Sequence, residues 1–276
     1  MNYTEFMNAM LCEIRGQVDA QVRTELYTVT KNNGTRRTGI LFKQEDSNLA
    51  PIYLEEFYQK YLKGQQVPDL ADSICSIYQE IRVKKTCDCQ NLFDFNHVKE
   101  HIVYKLIRRD ANEELLKQIP YEPFLDLAVV YYIQIDNTRF GSAAIQIRNE
   151  HLRYWRVEKE EIRRLAEKNT PRIYPVQIRQ IVRFMYVATN EQCSLGAAVM
   201  RYPDFREKVR GMIRGDFYIL PSSIHEVILV PESFGLEPER MQEMVKEINQ
   251  TGVAPEEVLS DSVYYFDGEE IRIVAK

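Results

Sequence analysis

The sequence is poor in the residues that define disulfide-stabilised, metal-binding and membrane proteins. Its 276 residues contain five cysteines, four histidines and one tryptophan. Because the cysteines are odd in number and scattered, they do not form the dense, even pattern of a secreted disulfide scaffold, and we expect a cytoplasmic protein. No apolar run approaches the roughly 18 residues that span a bilayer, so we predict no membrane partner. The first residues also lack the regions of a signal peptide.

Strong charge of one sign and standard catalytic motifs are absent as well. The chain has 36 basic and 41 acidic residues, a formal net charge of −5, and 45% hydrophobic residues. This balance gives no overall attraction to nucleic acid. There is no Walker loop, Gly-x-Gly-x-x-Gly fingerprint, His-Glu-x-x-His or kinase motif. We therefore predict no cofactor, and the case for an enzyme depends on less regular patterns.

Apolar residues recur with helical spacing in some segments and with strand-like spacing in others, which predicts an α+β fold. Helical spacing begins near Phe6, and Asn32-Asn33-Gly34 supplies the turn of a hairpin. We predict two lobes, each a small mixed or antiparallel sheet with helices packed on it. The predicted parts are an N-terminal α+β lobe (1–150), a charged connecting helix (151–170) and a C-terminal α+β lobe (171–276).

Four polar side chains lie between two strand-like runs, Phe217–Leu220 and Val227–Val230. Pro221 cannot donate a ladder hydrogen bond, so the strands should break there. A hydroxyl, an imidazole and a carboxylate are the components of an acyl-transfer site, which makes a hydrolase using Ser223 and His225 one hypothesis. The candidate catalytic residues are Ser222, Ser223, His225 and Glu226.

A structural interpretation of the same four residues is the alternative. Serines at a strand break commonly bond free backbone groups, and no Gly-x-Ser-x-Gly elbow accompanies them. Neighbouring strand residues point to opposite faces, so Ser223 and His225 can meet while Glu226 faces away. We favour this interpretation and predict that the serine hydroxyls satisfy nearby main-chain groups.

Zinc-competent side chains occur in Cys87-x-Cys89 and His97-x-x-x-His101. Cysteines one residue apart form a strained chelate compared with the usual separation of two to four residues. We therefore predict no metal site.

Residues 148–183 contrast with the acidic remainder of the chain, because they contain ten basic and five acidic residues. Aromatic side chains among the cations suit a nucleic-acid site, in which bases stack and arginines hold phosphates. Interleaved glutamates instead favour intrahelical ion pairs and docking to acidic protein surfaces. We favour a protein partner or self-association over nucleic acid. The candidate binding residues are Arg153, Trp155, Arg156, Arg163 and Arg164.

Two carboxylates also stand out. Asp126 lies inside the apolar run Phe124–Ile135, which predicts one buried strand, and Asp261 lies in Leu259-Ser260-Asp261-Ser262. A buried aspartate must be paired or must shift its pKa, and such residues sometimes mark functional groups. More often they cap or bond the backbone.

Six motifs are spread along nearly the whole chain: Asn32-Asn33-Gly34, Pro51–Tyr58, Phe124–Tyr132, Leu195–Ala198, Pro221–Glu226 and Leu259–Asp261. Together they resemble a family of uncharacterised proteins from gut anaerobic bacteria that is defined as a domain of unknown function. The resemblance implies a bacterial cytosolic protein of full-length family architecture, without a known activity or catalytic residue. From the sequence as a whole we predict a non-enzymatic protein-binding or regulatory module.

Overall fold

Helices and three antiparallel sheets make up an α+β fold, as the sequence predicts. The structure, a computed structural model, describes residues 1–44, 47–48, 51–83, 94–138, 141–213 and 215–276. The chain divides into two compact units, Met1–Cys87 and Asp88–Lys276. In the described residues, no helix combines the length and the apolar character needed to cross a membrane.

The first unit packs helices on a small sheet in which β1 and β2 form a long hairpin. At its tight turn, Asn33 and Gly34 have positive φ values of 57° and 69°, which asparagine and glycine tolerate best. The core is formed by Phe6, Met10 and Ile40, among other apolar side chains. In chain order the elements are α1 (Tyr3–Gln17), β1 (Arg23–Thr30), β2 (Arg36–Gln44), β3 (Ser47–Asn48), β4 (Ile52–Tyr53), α2 (Glu55–Leu62) and α3 (Val67–Val83).

The second unit contains the other two sheets. Its first elements are α4 (Phe95–Val98), β5 (Ile102–Arg108), α5 (Glu113–Leu116), β6 (Tyr121–Phe124), β7 (Leu127–Thr138), β8 (Gly141–Gln146), α6 (Asn149–Trp155) and α7 (Lys159–Ile173). They are followed by β9 (Val176–Val182), β10 (Met185–Asn190), α8 (Phe205–Met212), β11 (Phe217–Leu220), β12 (Val227–Pro231), α9 (Pro238–Thr251), β13 (Val263–Phe266) and β14 (Ile271–Ala275).

Both sheets of the second unit contribute to one hydrophobic core. The smaller sheet has the order β5-β7-β6, with β8 also paired to β7, and the larger has the order β14-β13-β11-β12-β10-β9. Tyr104 and Tyr131 from the smaller sheet join Phe217 and Tyr264 from the larger sheet in this core. Strand β9 is therefore an edge strand, and β11 and β13 lie inside the larger sheet.

The segment predicted to connect two lobes lies inside the second unit. Helix α7 contacts β5 and buries Ile162, Leu165 and Ala166 in the shared core. The division between the compact units falls between Cys87 and Asp88, whereas the predicted lobe boundary is at residues 151–170. The helix is charged on its exposed side, and its buried face explains why it packs within a unit.

The single strand predicted for Phe124–Ile135 is wrong. Strand β6 ends at Phe124, the chain reverses, and β7 begins at Leu127, with Phe124 and Leu127 paired across the turn. Leu125 takes a positive φ of 57° to make this reversal. Aspartate is common in turns, but the positive φ falls on Leu125 and the turn contains no glycine, proline or asparagine, so the sequence gives little sign of the reversal. Asp126 consequently lies in a turn at the edge of the smaller sheet.

Candidate functional site

The His225 loop, residues 221–226, joins two neighbouring strands of the larger sheet, as the sequence predicts. Leu220 pairs with Ile228 immediately beside it. Main-chain hydrogen bonds fix the loop to a later segment, with Leu259 N–H donating to Ser222 O at 3.0 Å and Ile224 N–H donating to Glu257 O at 2.9 Å. These bonds fix the backbone of the loop to residues 257–259.

Both ring nitrogens of His225 have partners outside the loop. The Nδ1 atom accepts a hydrogen bond from Leu195 N–H at 3.2 Å, so the neutral ring carries its proton on Nε2. Nε2 lies 3.3 Å from Glu257 Oε1. The carboxylate beside the imidazole is therefore Glu257, which the sequence analysis did not select, and Glu226 lies half-buried elsewhere in the loop.

The two serines are close to His225 in sequence but are used differently. The Ser223 hydroxyl accepts a hydrogen bond from His225 N–H at 3.1 Å. This local bond between a serine and the backbone two residues later is the arrangement expected at a chain break. Ser222 is half-buried, and its carbonyl is bonded to Leu259. The structure thus brings Ser223 to the backbone of His225.

Close packing surrounds the loop on the side of residues 189–197. Thr189 Oγ1 donates to His225 O at 2.8 Å, and Ala197 N–H donates to Ile224 O at 3.2 Å. A Cβ atom on Gly196 would lie 2.1 Å from Thr189 Oγ1 and 2.5 Å from His225 O. Gly196 is needed here because the two chain segments approach too closely for a side chain.

The structure describes only two of the four zinc-competent side chains that the sequence offers. Cys87 and Cys89 lie outside the described residues, and His97 and His101 lie in α4 and in the short 3-10 turn that follows it. Among the described residues there is no cluster of three or more histidine, cysteine, aspartate or glutamate side chains suited to a metal ion.

The five candidate binding residues are distributed over α6, its C-terminus and α7. Arg163 Nε lies 3.5 Å from Glu122 Oε1, and Arg164 Nη2 lies 2.7 Å from Oε1 of Glu161 in the preceding turn of the same helix. The Trp155 ring packs against Phe95, with centroids 5.6 Å apart, and against His151 at 5.3 Å. Arg153 and Arg156 are exposed. The structure therefore disperses these side chains over several local contacts.

The C-terminal end of the basic segment forms the exposed edge of the larger sheet. Ile181 and Val182 of β9 are 53% and 54% exposed. The register with β10 shifts so that Gln180 pairs with Tyr186 and Val182 with Met185, which leaves Ile181 as the extra residue of a β-bulge. At the turn, Phe184 has a φ of 67° and packs against Phe234, with ring centroids 5.6 Å apart.

The Asp126 cluster consists of Asp126, Ser260, Ser262 and Tyr264. The serine hydroxyls donate to Asp126 Oδ2 at 2.6 and 2.8 Å, and the tyrosine hydroxyl donates to Oδ1. Burial and then the neighbouring Asp126 carboxylate raise the pKa of Tyr264 well above its ordinary value, so the phenol remains a donor. The turn between β6 and β7 is thereby joined to the beginning of β13.

A second set of charges extends this cluster. Arg108 bridges two carboxylates, with 2.8 Å to Asp110 and 2.9 Å to Asp261. The guanidinium hydrogen bond is the main reason why the pKa of Asp110 is lowered. Asn249 of α9 donates to Ser260 O at 2.9 Å and to Asp261 Oδ1 at 2.8 Å. Asp126 and Asp261, which stand out separately in the sequence, lie around the same pocket.

The pocket has a volume of about 250 Å³. Its lining includes Arg108, Arg109, Asp126, Lys246, Asp261 and Ser262. Sequence reasoning missed the basic members and the three hydroxyl donors to Asp126. The partial signal for them was the polar run Ser260-Asp261-Ser262 before an apolar strand, but nothing local connects that run with Asp126, more than 130 residues earlier.

The Family of unknown function (DUF5688) matches residues 3–184 and residues 182–268. Neither a curated protein nor a solved structure matches the chain.

Proposed function

We propose that this chain, which belongs to the Family of unknown function (DUF5688), is a non-enzymatic protein-binding or regulatory module of the bacterial cytoplasm. The observation that carries the proposal is the exposed edge strand β9. It lies at the end of the sheet order, so the described residues provide no strand beyond it. A free edge presents backbone donors and acceptors that an extended segment of another protein can pair with.

The chemistry of β9 defines the partner. Residues 176–186 include Arg179 and Arg183 and no acidic residue. In the described part of the chain, neither arginine has a carboxylate within ion-pair distance. Ile181 and Val182 add exposed apolar surface between these cations. The complementary partner is an extended segment of another protein that carries acidic and apolar side chains.

The arrangement of His225 supports a binding function over hydrolysis. A general base needs an unoccupied nitrogen lone pair that faces the nucleophile. The Nδ1 lone pair faces Leu195 N–H, and Nε2 faces Glu257. Ser223 is bonded to the backbone of His225. These contacts favour a structural role for the loop.

The experiment selects binding peptides from a displayed library of random ten-residue sequences and measures their affinity by fluorescence anisotropy. The proposal predicts peptides rich in alternating acidic and apolar residues, whose binding weakens at least about tenfold in Ile181→Asp, because a buried charge opposes the apolar contact. Ile248→Asp is the matched control, since Ile248 is 49% exposed on α9. Arg183→Glu should weaken the binding of the acidic peptides in particular.

Peptides that bind Ile181→Asp as tightly as the unmodified protein would contradict this proposal. The nucleic-acid alternative is tested with single-stranded DNA across a salt series. Tight, salt-sensitive binding that is lost in both Arg163→Glu and Trp155→Ala would favour that alternative, because each phosphate contact releases counterions.

A further inference from the structure

The pocket beside the Asp126 cluster has a charge imbalance that the fold does not resolve. Its lining contains three carboxylates and four basic side chains. The carboxylates all have partners: Asp110 and Asp261 bond to Arg108, and Asp126 accepts from three hydroxyls. The hydroxyls do not neutralise Asp126, so the side chains of the lining, four basic and three acidic, carry a formal charge of +1.

Three of the four basic side chains have no carboxylate partner in the described residues. Within residues 94–138, 141–213 and 215–276, no carboxylate lies at ion-pair distance from Arg109, Lys246 or Lys276. Arg108 differs because it is held between two aspartates. Cations that converge on a concave site without internal partners are suited to bind an anion from solution.

Rigid elements position the two cations that matter most. The backbone of Arg109 is fixed by a hydrogen bond from its N–H to Asp126 O at 3.3 Å and by Asn112 N–H, which donates to Arg109 O at 3.2 Å. Lys246 lies on α9, whose opposite face buries Met241 and Val245 against the larger sheet. The guanidinium supplies directional donors, and the ammonium supplies a compact charge.

We propose that this pocket binds a small, multiply charged oxyanion of the phosphate class, held chiefly by Arg109 and Lys246. A volume of about 250 Å³ is below the range of about 300 to 1,000 Å³ typical of drug-sized ligands, so the site suits a phosphate group better than a whole nucleotide. The phosphate is either free inorganic phosphate or the phosphoryl group of a small metabolite. This site is separate from β9 and does not depend on the proposed protein partner.

Isothermal titration calorimetry at low ionic strength tests the proposal with inorganic phosphate, glycerol 3-phosphate and succinate. We expect saturable binding of phosphate, and each of Arg109→Gln and Lys246→Gln should weaken it about tenfold, as expected for the loss of one charge-assisted contact. Lys168→Gln, which removes an exposed lysine of α7, is the matched control and should bind normally. Tighter binding of glycerol 3-phosphate would identify a phosphorylated metabolite as the source.

Several results would overturn the proposal. They are the absence of saturable phosphate binding, an unchanged affinity in both pocket variants, or an equal loss in Lys168→Gln. Preferential binding of succinate would also contradict the phosphate class. Melting temperatures measured without ligand check that all three variants fold. We expect them to match that of the unmodified protein, because Lys246 and Lys168 are exposed and Arg109 is half-exposed.

Discussion

The His225 loop and the Asp126 cluster join elements of the same unit in opposite ways. In the loop, reactive side chains are neighbours in sequence, yet Ser223 contacts the His225 backbone and the imidazole contacts Leu195 and Glu257. In the cluster, three hydroxyls from residues 260–264 converge on one carboxylate far away in the sequence. Adjacent polar residues serve the local backbone here, and distant ones assemble a polar site.

This difference predicts where substitutions are most harmful. A local hydrogen bond at a loop can be replaced in part by water, because Ser223 and His225 are half-buried. A shared acceptor for three donors cannot be replaced so easily, because its loss leaves several groups unpaired together.

The largest effect is expected for Asp126→Ala. It removes the acceptor of Ser260, Ser262 and Tyr264, and should lower the free energy of unfolding by about 3 kcal/mol, measured by urea denaturation. Tyr264→Phe removes one donor and leaves the carboxylate with two, so its cost should be smaller, about 1 to 2 kcal/mol. Equal stability of Asp126→Ala and the unmodified protein would show that the cluster does not stabilise the contact between the two sheets.

An intermediate effect is expected for Gly196→Ala, which probes the packing around the His225 loop. The added methyl group would overlap Thr189 Oγ1 and His225 O, and overpacking of this kind costs about 2 kcal/mol. Gly211→Ala is the matched control, because nothing lies within 4 Å of its Cβ position and alanine favours the helix α8. Thermal denaturation should therefore show a lower Tm for Gly196→Ala than for the unmodified protein, and an unchanged or higher Tm for Gly211→Ala.

The smallest effect is expected for Ser223→Ala. One local hydrogen bond to His225 N–H is lost, at a cost of about 1 kcal/mol. Ser223→Thr, which keeps the hydroxyl, serves as the comparison in the same urea titration. A loss as large as that of Asp126→Ala would mean that the loop is as important to stability as the cluster.

Much of the fold is predictable from local patterns. Asn32-Asn33-Gly34 correctly predicts the first hairpin, and the runs Phe217–Leu220 and Val227–Val230 correctly predict β11 and β12. The hairpin carries turn residues with a known backbone preference, and the two runs are short, uninterrupted apolar segments of strand length. The turn at Leu125 and Asp126 was missed because leucine rarely adopts positive φ, and only its tertiary setting requires it.

The candidate site is less accessible from sequence than the fold. Asp126 was noticed because a charge within an apolar run needs a partner, but its three donors come from β13 and the residues before it. Glu257 was missed for the same reason, since residues 257 and 225 meet only after β12 and α9 have folded between them. Sequence predicts that such a group must be satisfied, and tertiary structure decides which residue satisfies it.

Whether the His225 loop is structural can be tested most directly by covalent labelling with a fluorophosphonate, which reacts with activated serine nucleophiles. Intact-mass measurement of the folded protein, with a known serine hydrolase as a positive control, should show no adduct at Ser222 or Ser223, because the His225 nitrogens face Leu195 N–H and Glu257. An adduct on Ser223 that disappears in His225→Ala would contradict this account and establish the hydrolase hypothesis instead.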